Sequence, residues 1–282
     1  MTKIKSTKLI AIILVIIIPA ITFIAFHPRL PFYKMVLNGH CPITQSEGNK
    51  SFYSQIYEDY ILAQVFSEVE KGTYIDVGAS DPNHGSVTKY FYLKGWRGIN
   101  IEPMEQMHTL LLQNRPEDIN LKIGISDQAG DMDFYQVLGS SGLSTFARAN
   151  ASSAIDNGLG VRTSKVAVTT LNNVLKDHHM SVINFMTIDV EGSEEEVLRG
   201  LDLSKFRPQV FVIEAILPLT SEPTTENTVF AHHKWEPILL QNGYSFKIFD
   251  GLNRYYLSNE SQALEKNFAR AKDCVDAHRN SL

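Results

Sequence analysis

Three times between residues 73 and 126, a short run rich in β-branched and aromatic residues gives way to a segment with helical spacing. The runs are "TYIDV" (73–77), "GINIE" (98–102) and "NLKIGIS" (120–126), and helical periodicity fills 86–94 and 104–114 between them. Strands that alternate with helices through short connections pack as a parallel sheet covered by helices on both faces. The alternation resumes with "VINFMTIDV" (182–190), a helix from Ser193, and "PQVFVIEA" (208–215). A helix over 229–242 follows, and "YSFKIFDGLNRYYLS" reads as two strands around an Asp250-Gly251 turn. These runs predict a Rossmann-like α/β fold with a mostly parallel seven-stranded central sheet and an antiparallel C-terminal hairpin. Before it, "YEDYILAQVFSEV" sets Ile61, Leu62, Val65, Phe66 and Val69 on one helical face. The middle is less regular: "GDMDFYQV" and "KVAVTTL" read as strands, "LNNVLKDHH" as a helix, and "GSSGLSTFARANASS" as a small, polar, mobile stretch.

The first residues set a second constraint. Lys3, Lys5 and Lys8 precede 18 residues without a charge, Leu9 to Phe26. That length suffices to cross a bilayer, and basic-then-apolar order also fits a secretory signal. "TFIAFHPRLP" offers no small-x-small cleavage site, so residues 1–30 are expected to stay as an uncleaved single-pass anchor that holds the chain to a membrane through 9–26. Arg29 and Lys34 follow closely, so charge does not fix its sidedness. Residues 31–52, with Pro31 and Pro42, read as a tether, 53–260 as the domain, and 261–282 as a C-terminal helix or tail. Three sequons, at Asn49, Asn150 and Asn259, hint at a lumenal side. A net charge of −5 with no basic block removes the electrostatic footprint of a nucleic-acid binder. Cys41 and Cys274 make neither a metal cluster nor a disulfide framework.

The turn after "TYIDV" says which ligand the fold serves. Dinucleotide sites want G-x-G-x-x-G there, so that a pyrophosphate can approach the backbone. The residues after Val77 are Gly78, Ala79, Ser80 and Asp81; the later glycines are missing and a phosphate would meet Asp81. A ligand with ribose, adenine and an amino acid but no phosphate fits better, which is S-adenosylmethionine. Glu102, ending the second strand, is placed to accept hydrogen bonds from ribose hydroxyls.

The segments "SQIYEDY", "YIDVGASDP", "GWRGINIEP", "GLSTF", "TIDVEGSEEEVL", "VFVIEA" and "GYSFKIFDGLNRYYLS" stand in the order seen in the FkbM family of methyltransferases, which residues 54 to about 258 resemble. The resemblance implies a class I methyltransferase fold, S-adenosylmethionine as cofactor, and O-methylation of a small-molecule or glycan acceptor. It places Asp76, Gly78 and Ala79, with Ser80 in the same turn, under the methionine part of the cofactor. It puts Glu102 at the ribose and Asp127 near the adenine. Thr187 stands where the family usually shows a lysine. Two other readings stay open: a Rossmann-like protein using another nucleotide cofactor, and an anchored interaction protein that binds the cofactor without catalysis.

Removing a hydroxyl proton calls for a base. Asp189 and Glu191 close the fourth strand, and strand alternation would send them to opposite sides. Ser193 and Glu196 have the spacing of a capping box for the next helix. His84, in the loop after the first strand, titrates near neutrality and is a further base. Glu214, ending "FVIEA", and Arg254, after the hairpin turn, are candidates for holding the acceptor, with Trp235 beside Arg254. His178-His179 and His232-His233 show no zinc spacing, and no metal is expected.

Overall fold

The computed structural model describes residues 52–216 and 231–279. The predicted membrane span at 9–26, the tether up to residue 51, Cys41 and the Asn49 sequon lie outside them. Among the described residues no helix is long and apolar enough to cross a membrane.

The central sheet is built on four strands whose residues are almost all buried: β1 (Thr73–Val77), β2 (Arg97–Ile101), β7 (Phe185–Ile188) and β8 (Val210–Glu214). Both faces of a parallel sheet are covered, so such strands carry near-continuous apolar runs. β3 (Ile119–Leu121) flanks β2, while β9 (Tyr244–Phe249) and β10 (Asn253–Ser258) form the hairpin. The seven strands lie in the order β3-β2-β1-β7-β8-β10-β9, with β10 antiparallel to both of its neighbours. The mostly parallel sheet and its C-terminal hairpin agree with the sequence reading.

Alternate side chains on these strands feed two cores. Ile75, Val77, Ile99, Met186, Ile188 and Ile213 pack against α5 (Leu171–Asp177), α6 (Glu194–Arg199) and α7 (His232–Gln241). Tyr74, Phe185, Val210 and Val212 face α1 (Glu58–Val65), α2 (Lys89–Leu93) and α8 (Glu265–Arg279) on the other side. α1 and α8, near opposite ends of the described chain, pack together: Ile61, Leu62 and Phe268 share one core, and the Asn267 amide donates to the Val65 carbonyl.

The predicted third strand splits in two. Leu121 ends its pairing with β2, and β4 (Gly124–Ile125) leaves the central sheet for a second one, in the order β4-β6-β5. Its long pair, β5 (Gly130–Val137) and β6 (Val161–Thr169), is antiparallel. The small polar stretch between them is not a mobile loop. Thr145 pairs with Tyr135, and Arg148–Asp156, the next helix after α3 (Glu105–Asn114), forms α4, which buries Ala151 and Ala154.

Candidate active site

Register aligns the strand ends. Val77 pairs with Ile101 and Ile188, and Ile188 with Ile213, so β1, β2, β7 and β8 release their chains along one edge. A cleft open to solvent lies there. Open α/β sheets bind ligands at this carboxyl edge. Asp76, Gly78, Ser80, His84, Glu102, Asp189 and Glu191 all line it.

Gly78 turns the chain with φ of +85°, and its amide donates to the Ile101 carbonyl at 3.0 Å. The Asp189 carbonyl approaches so closely that a Cβ on Gly78 would stand 1.9 Å from it. The Ala79 amide donates to the same Ile101 carbonyl at 3.2 Å, so Ala79 shapes the turn from outside the lining. Glu102, 5% exposed, receives the Ser80 amide at 2.9 Å and the Met104 amide at 2.7 Å, one on each oxygen. Its carboxylate therefore clamps the loops after β1 and β2 together, a structural part the sequence reading does not give it. The Thr88 hydroxyl donates to Asp76 at 2.7 Å. Asp81 accepts the amides of Asn83 and His84, which holds exposed His84 at the cleft wall.

Asp127 is exposed and away from the lining. The chain leaves the central sheet after Leu121, so Ile123, Gly124 and Ile125 take the wall where the resemblance puts an acid.

Strand alternation would part Asp189 and Glu191, but both line the cleft. β7 ends at Ile188, and Glu191 takes φ of +56°, so the alternation no longer applies. One carboxylate oxygen each from Asp189, Glu191 and Glu214 lie within 4.8 Å of one another. Carboxylates this close favour a proton or a cation among them. The Glu191 carbonyl accepts from the Thr145 hydroxyl at 2.9 Å and from the Asn150 amide, so the small polar stretch braces this turn. The Asn150 side chain of the second sequon is thus engaged in bracing the Glu191 turn.

The capping box does not form, since the Ser193 side chain makes no cap bond. Glu194 instead folds back to accept the amides of Gly192 at 2.9 Å and Val190 at 3.3 Å. Arg254 lies away from the lining. It pairs with Glu236 at 2.8 Å, donates to the Tyr256 hydroxyl and sits over the Phe246 ring. Trp235, 1% exposed, packs in the core against Tyr256. Strand alternation explains the exchange: it turns Arg254 outward and the preceding Asn253 toward the cleft.

Sequence reasoning also misses Glu58, 3% exposed, which reaches the cleft from the start of α1. It accepts the Asn253 amide at 3.0 Å and the Ile56 backbone amide at 2.8 Å. Asp250 beside it accepts the Tyr255 hydroxyl and the amides of Leu252 and Asn253, which fixes the hairpin turn. The signal available is "SQIYEDY", which carries family resemblance but has no spacing that marks chemistry.

Burial pushes these acids up: Glu58, with Asp250 as its second cause, to about 8, Glu102 and Glu194 to about 7, and Asp76 to about 6. Groups that hold protons more tightly folded than unfolded lend stability that is fully present below the ordinary carboxyl range and is lost as pH rises through the folded values. The melting temperature of the ligand-free protein is therefore expected to fall between about pH 5 and pH 8.5, which scanning calorimetry at fixed ionic strength checks. A rising or flat curve would mean that the buried carboxyls ionise freely.

The strand order and the cleft at the carboxyl edge, with its glycine turn and clamping acid, define a Rossmann-like α/β fold with its ligand site at the strand ends. More particularly, residues 76–246, over half of the chain, match the methyltransferase FkbM domain, and the chain belongs to that family. Similar solved structures include methyltransferase FkbM from Methylobacillus flagellatus KT, with 14% identity, TM-score 0.41, and 80% of this chain and 50% of that one covered. The chain thus spans half the length of that protein. A TehB-like SAM-dependent methyltransferase from Corynebacterium glutamicum ATCC 13032 Kitasato has 8% identity, TM-score 0.37 and coverages of 76% and 92%. The O-methyltransferase from Bacillus cereus in complex with SAH has 10% identity, TM-score 0.36 and coverages of 79% and 89%. Comparison with curated protein sequences finds no match.

Proposed function

We propose that the chain is an O-methyltransferase that methylates a hydroxyl of a glycan, glycolipid or related metabolite, at a membrane reached through residues 9–26. The observation that carries the reading is the meeting of Asp189 and Glu191, which line the cleft, with buried Glu214, which lies within 4.8 Å of them but outside the lining. The cleft fits S-adenosylmethionine better than a dinucleotide. Its lining holds no Lys or Arg for a pyrophosphate among the described residues, and the Gly78 turn leaves no room for a Cβ. Asp76, Gly78 and Ser80 would hold the methionine part, and Glu102 the ribose. The bound donor supplies an electrophilic methyl group. The protein aligns the acceptor oxygen, where positioning carries much of the rate. Asp189 takes the hydroxyl proton, with Glu191 and Glu214 beside it and His84 as the other base at the wall. Labelled-methyl transfer into fractionated glycans and lipids tests the reading. Binding of NAD without binding of S-adenosylmethionine would overturn it.

Glu102 supplies a quantitative check. Ribose hydroxyls donate to an ionised carboxylate, whereas burial raises the Glu102 pKa to about 7. Affinity for S-adenosylmethionine should therefore rise with pH up to about 7 and level off above it. Glu102→Ala should weaken it by about 1.5–3 kcal/mol, the range for bonds to a charged group. Because the same carboxylate holds the Ser80 and Met104 amides, the variant should also melt lower. Calorimetric titrations at three pH values and one melt check both parts. A pH-independent dissociation constant, unchanged in the variant, would remove Glu102 from the ribose site.

A further inference from the structure

The family match covers residues 76–246, yet the acceptor end of the cleft is completed by residues on either side of it. Glu58 and Asn253 both line the cleft and are joined by a hydrogen bond of 3.0 Å. Asn253 pairs in register with Glu214, which places its amide beside the carboxylate cluster. The amide nitrogen of Asn253 faces two carboxyl groups, Glu58 at 3.0 Å and Asp250 at 3.4 Å. These bonds assign the nitrogen to the two carboxyl groups and leave the amide oxygen, an acceptor, to meet a ligand.

The rest of the lining has the same character. It contains five carboxyl groups, those of Glu58, Asp76, Glu102, Asp189 and Glu191, and no Lys or Arg among the described residues. The nearby cations are engaged behind it: Arg115 donates to the Pro82 carbonyl and the Ser86 hydroxyl, and Lys89 to the Asn83 amide oxygen. An anionic group entering here would lose its water and meet no Lys or Arg to replace it, with only exposed His84 at the wall. A group bearing hydroxyl donors would find acceptors on every side.

Resting on the O-methylation reading above, we infer that this cleft selects an uncharged, hydroxyl-bearing unit, such as a neutral sugar, over a uronic acid, sialic acid or phosphate ester, and that Asn253 is its specificity residue, positioned by Glu58. Desolvating an anion against a lining that offers it no Lys or Arg supports discrimination on the order of a hundredfold in kcat/KM.

The test incubates the full chain with methyl-labelled S-adenosylmethionine and a polysaccharide and lipid extract of the cells that produce it. The products are hydrolysed to building blocks and separated by anion exchange at neutral pH. Label on an unretained sugar supports the inference, and label on a retained, anionic building block overturns it while leaving O-methylation standing. Label in no fraction, from protein that binds S-adenosylhomocysteine, removes the O-methylation reading and this inference with it. On the labelled acceptor, Asn253→Ala should raise the acceptor KM about tenfold and leave the KM for S-adenosylmethionine unchanged. Unchanged values for both, in a variant that melts normally, would take Asn253 out of the acceptor site.

Discussion

Gly78→Ala is expected to give a protein that melts roughly 10 °C or more below the parent and no longer binds S-adenosylmethionine measurably. Two independent effects add. A φ of +85° strains any residue with a Cβ, by about 1–2 kcal/mol. The larger effect is steric. The added carbon would stand 1.9 Å from the Asp189 carbonyl oxygen, which is backbone and has no rotamer to escape into. Either the turn after β1 or the end of β7 must move, and the Gly78 and Ala79 bonds to Ile101 move with it. A total above ~4 kcal/mol sits at the rare end for single substitutions, and each kcal/mol lowers melting by roughly 2–4 °C in a domain this size. Gly139→Ala is the control. Gly139 shares the positive φ, at +79°, but a methyl group there would meet nothing within 4 Å, so it should cost only the strain. Equal melting temperatures for the two variants would show that the contact with Asp189 is not rigid.

Asp189→Asn is expected to leave affinity for S-adenosylmethionine within about twofold and to slow methyl transfer by about 10²–10⁴-fold, the range for removing a positioned base. The side chain keeps its size, and the backbone bond from the Asp189 amide to the Val77 carbonyl, 3.0 Å, is untouched. What changes is the charge in a group whose oxygen lies within 4.8 Å of those of Glu191 and Glu214. Single-turnover rates, dissociation constants and melting curves on one preparation decide the matter. Parallel loss of stability and affinity with normal turnover per folded molecule would make Asp189 a support of the turn. A full-speed, stable variant would end both roles.

The central sheet is legible in the sequence because buried parallel strands leave a strong local trace, and "TYIDV", "GINIE" and "FVIEA" have it. The split after Leu121 is not, because "NLKIGIS" has one unbroken strand pattern and the exit to the second sheet is decided by the partner β6, about 40 residues on. At the site, Gly78, Glu102 and Asp189 can be placed from their positions at strand ends. Glu191 cannot, since a left-handed backbone at a glutamate breaks the alternation that sequence reasoning relies on. Glu194 looks like an ordinary helix-start acid, and only the fold shows it turned back onto Gly192. Arg254 and Asn253 are exchanged by one step of strand register. Glu58 is invisible as a site residue because its chemistry comes from Asn253, a contact spanning 195 positions.

The place of β10 bears on how the chain is made. It is the last strand in sequence but lies between β8 and β9 in space. On the ribosome, β9 emerges with no neighbour to join until β10 has followed it, and α1, made well before α8, waits for α8 to cover it. The sheet therefore closes beyond β8, and the cleft wall at Asn253 forms, only once β10 has emerged. A nascent chain stalled after Phe249 would expose the unpaired edge of β8, a template for pairing with other chains. Chaperone demand should concentrate on the interval between the emergence of β8 and that of β10, a matter of a few seconds at about 5–20 residues per second.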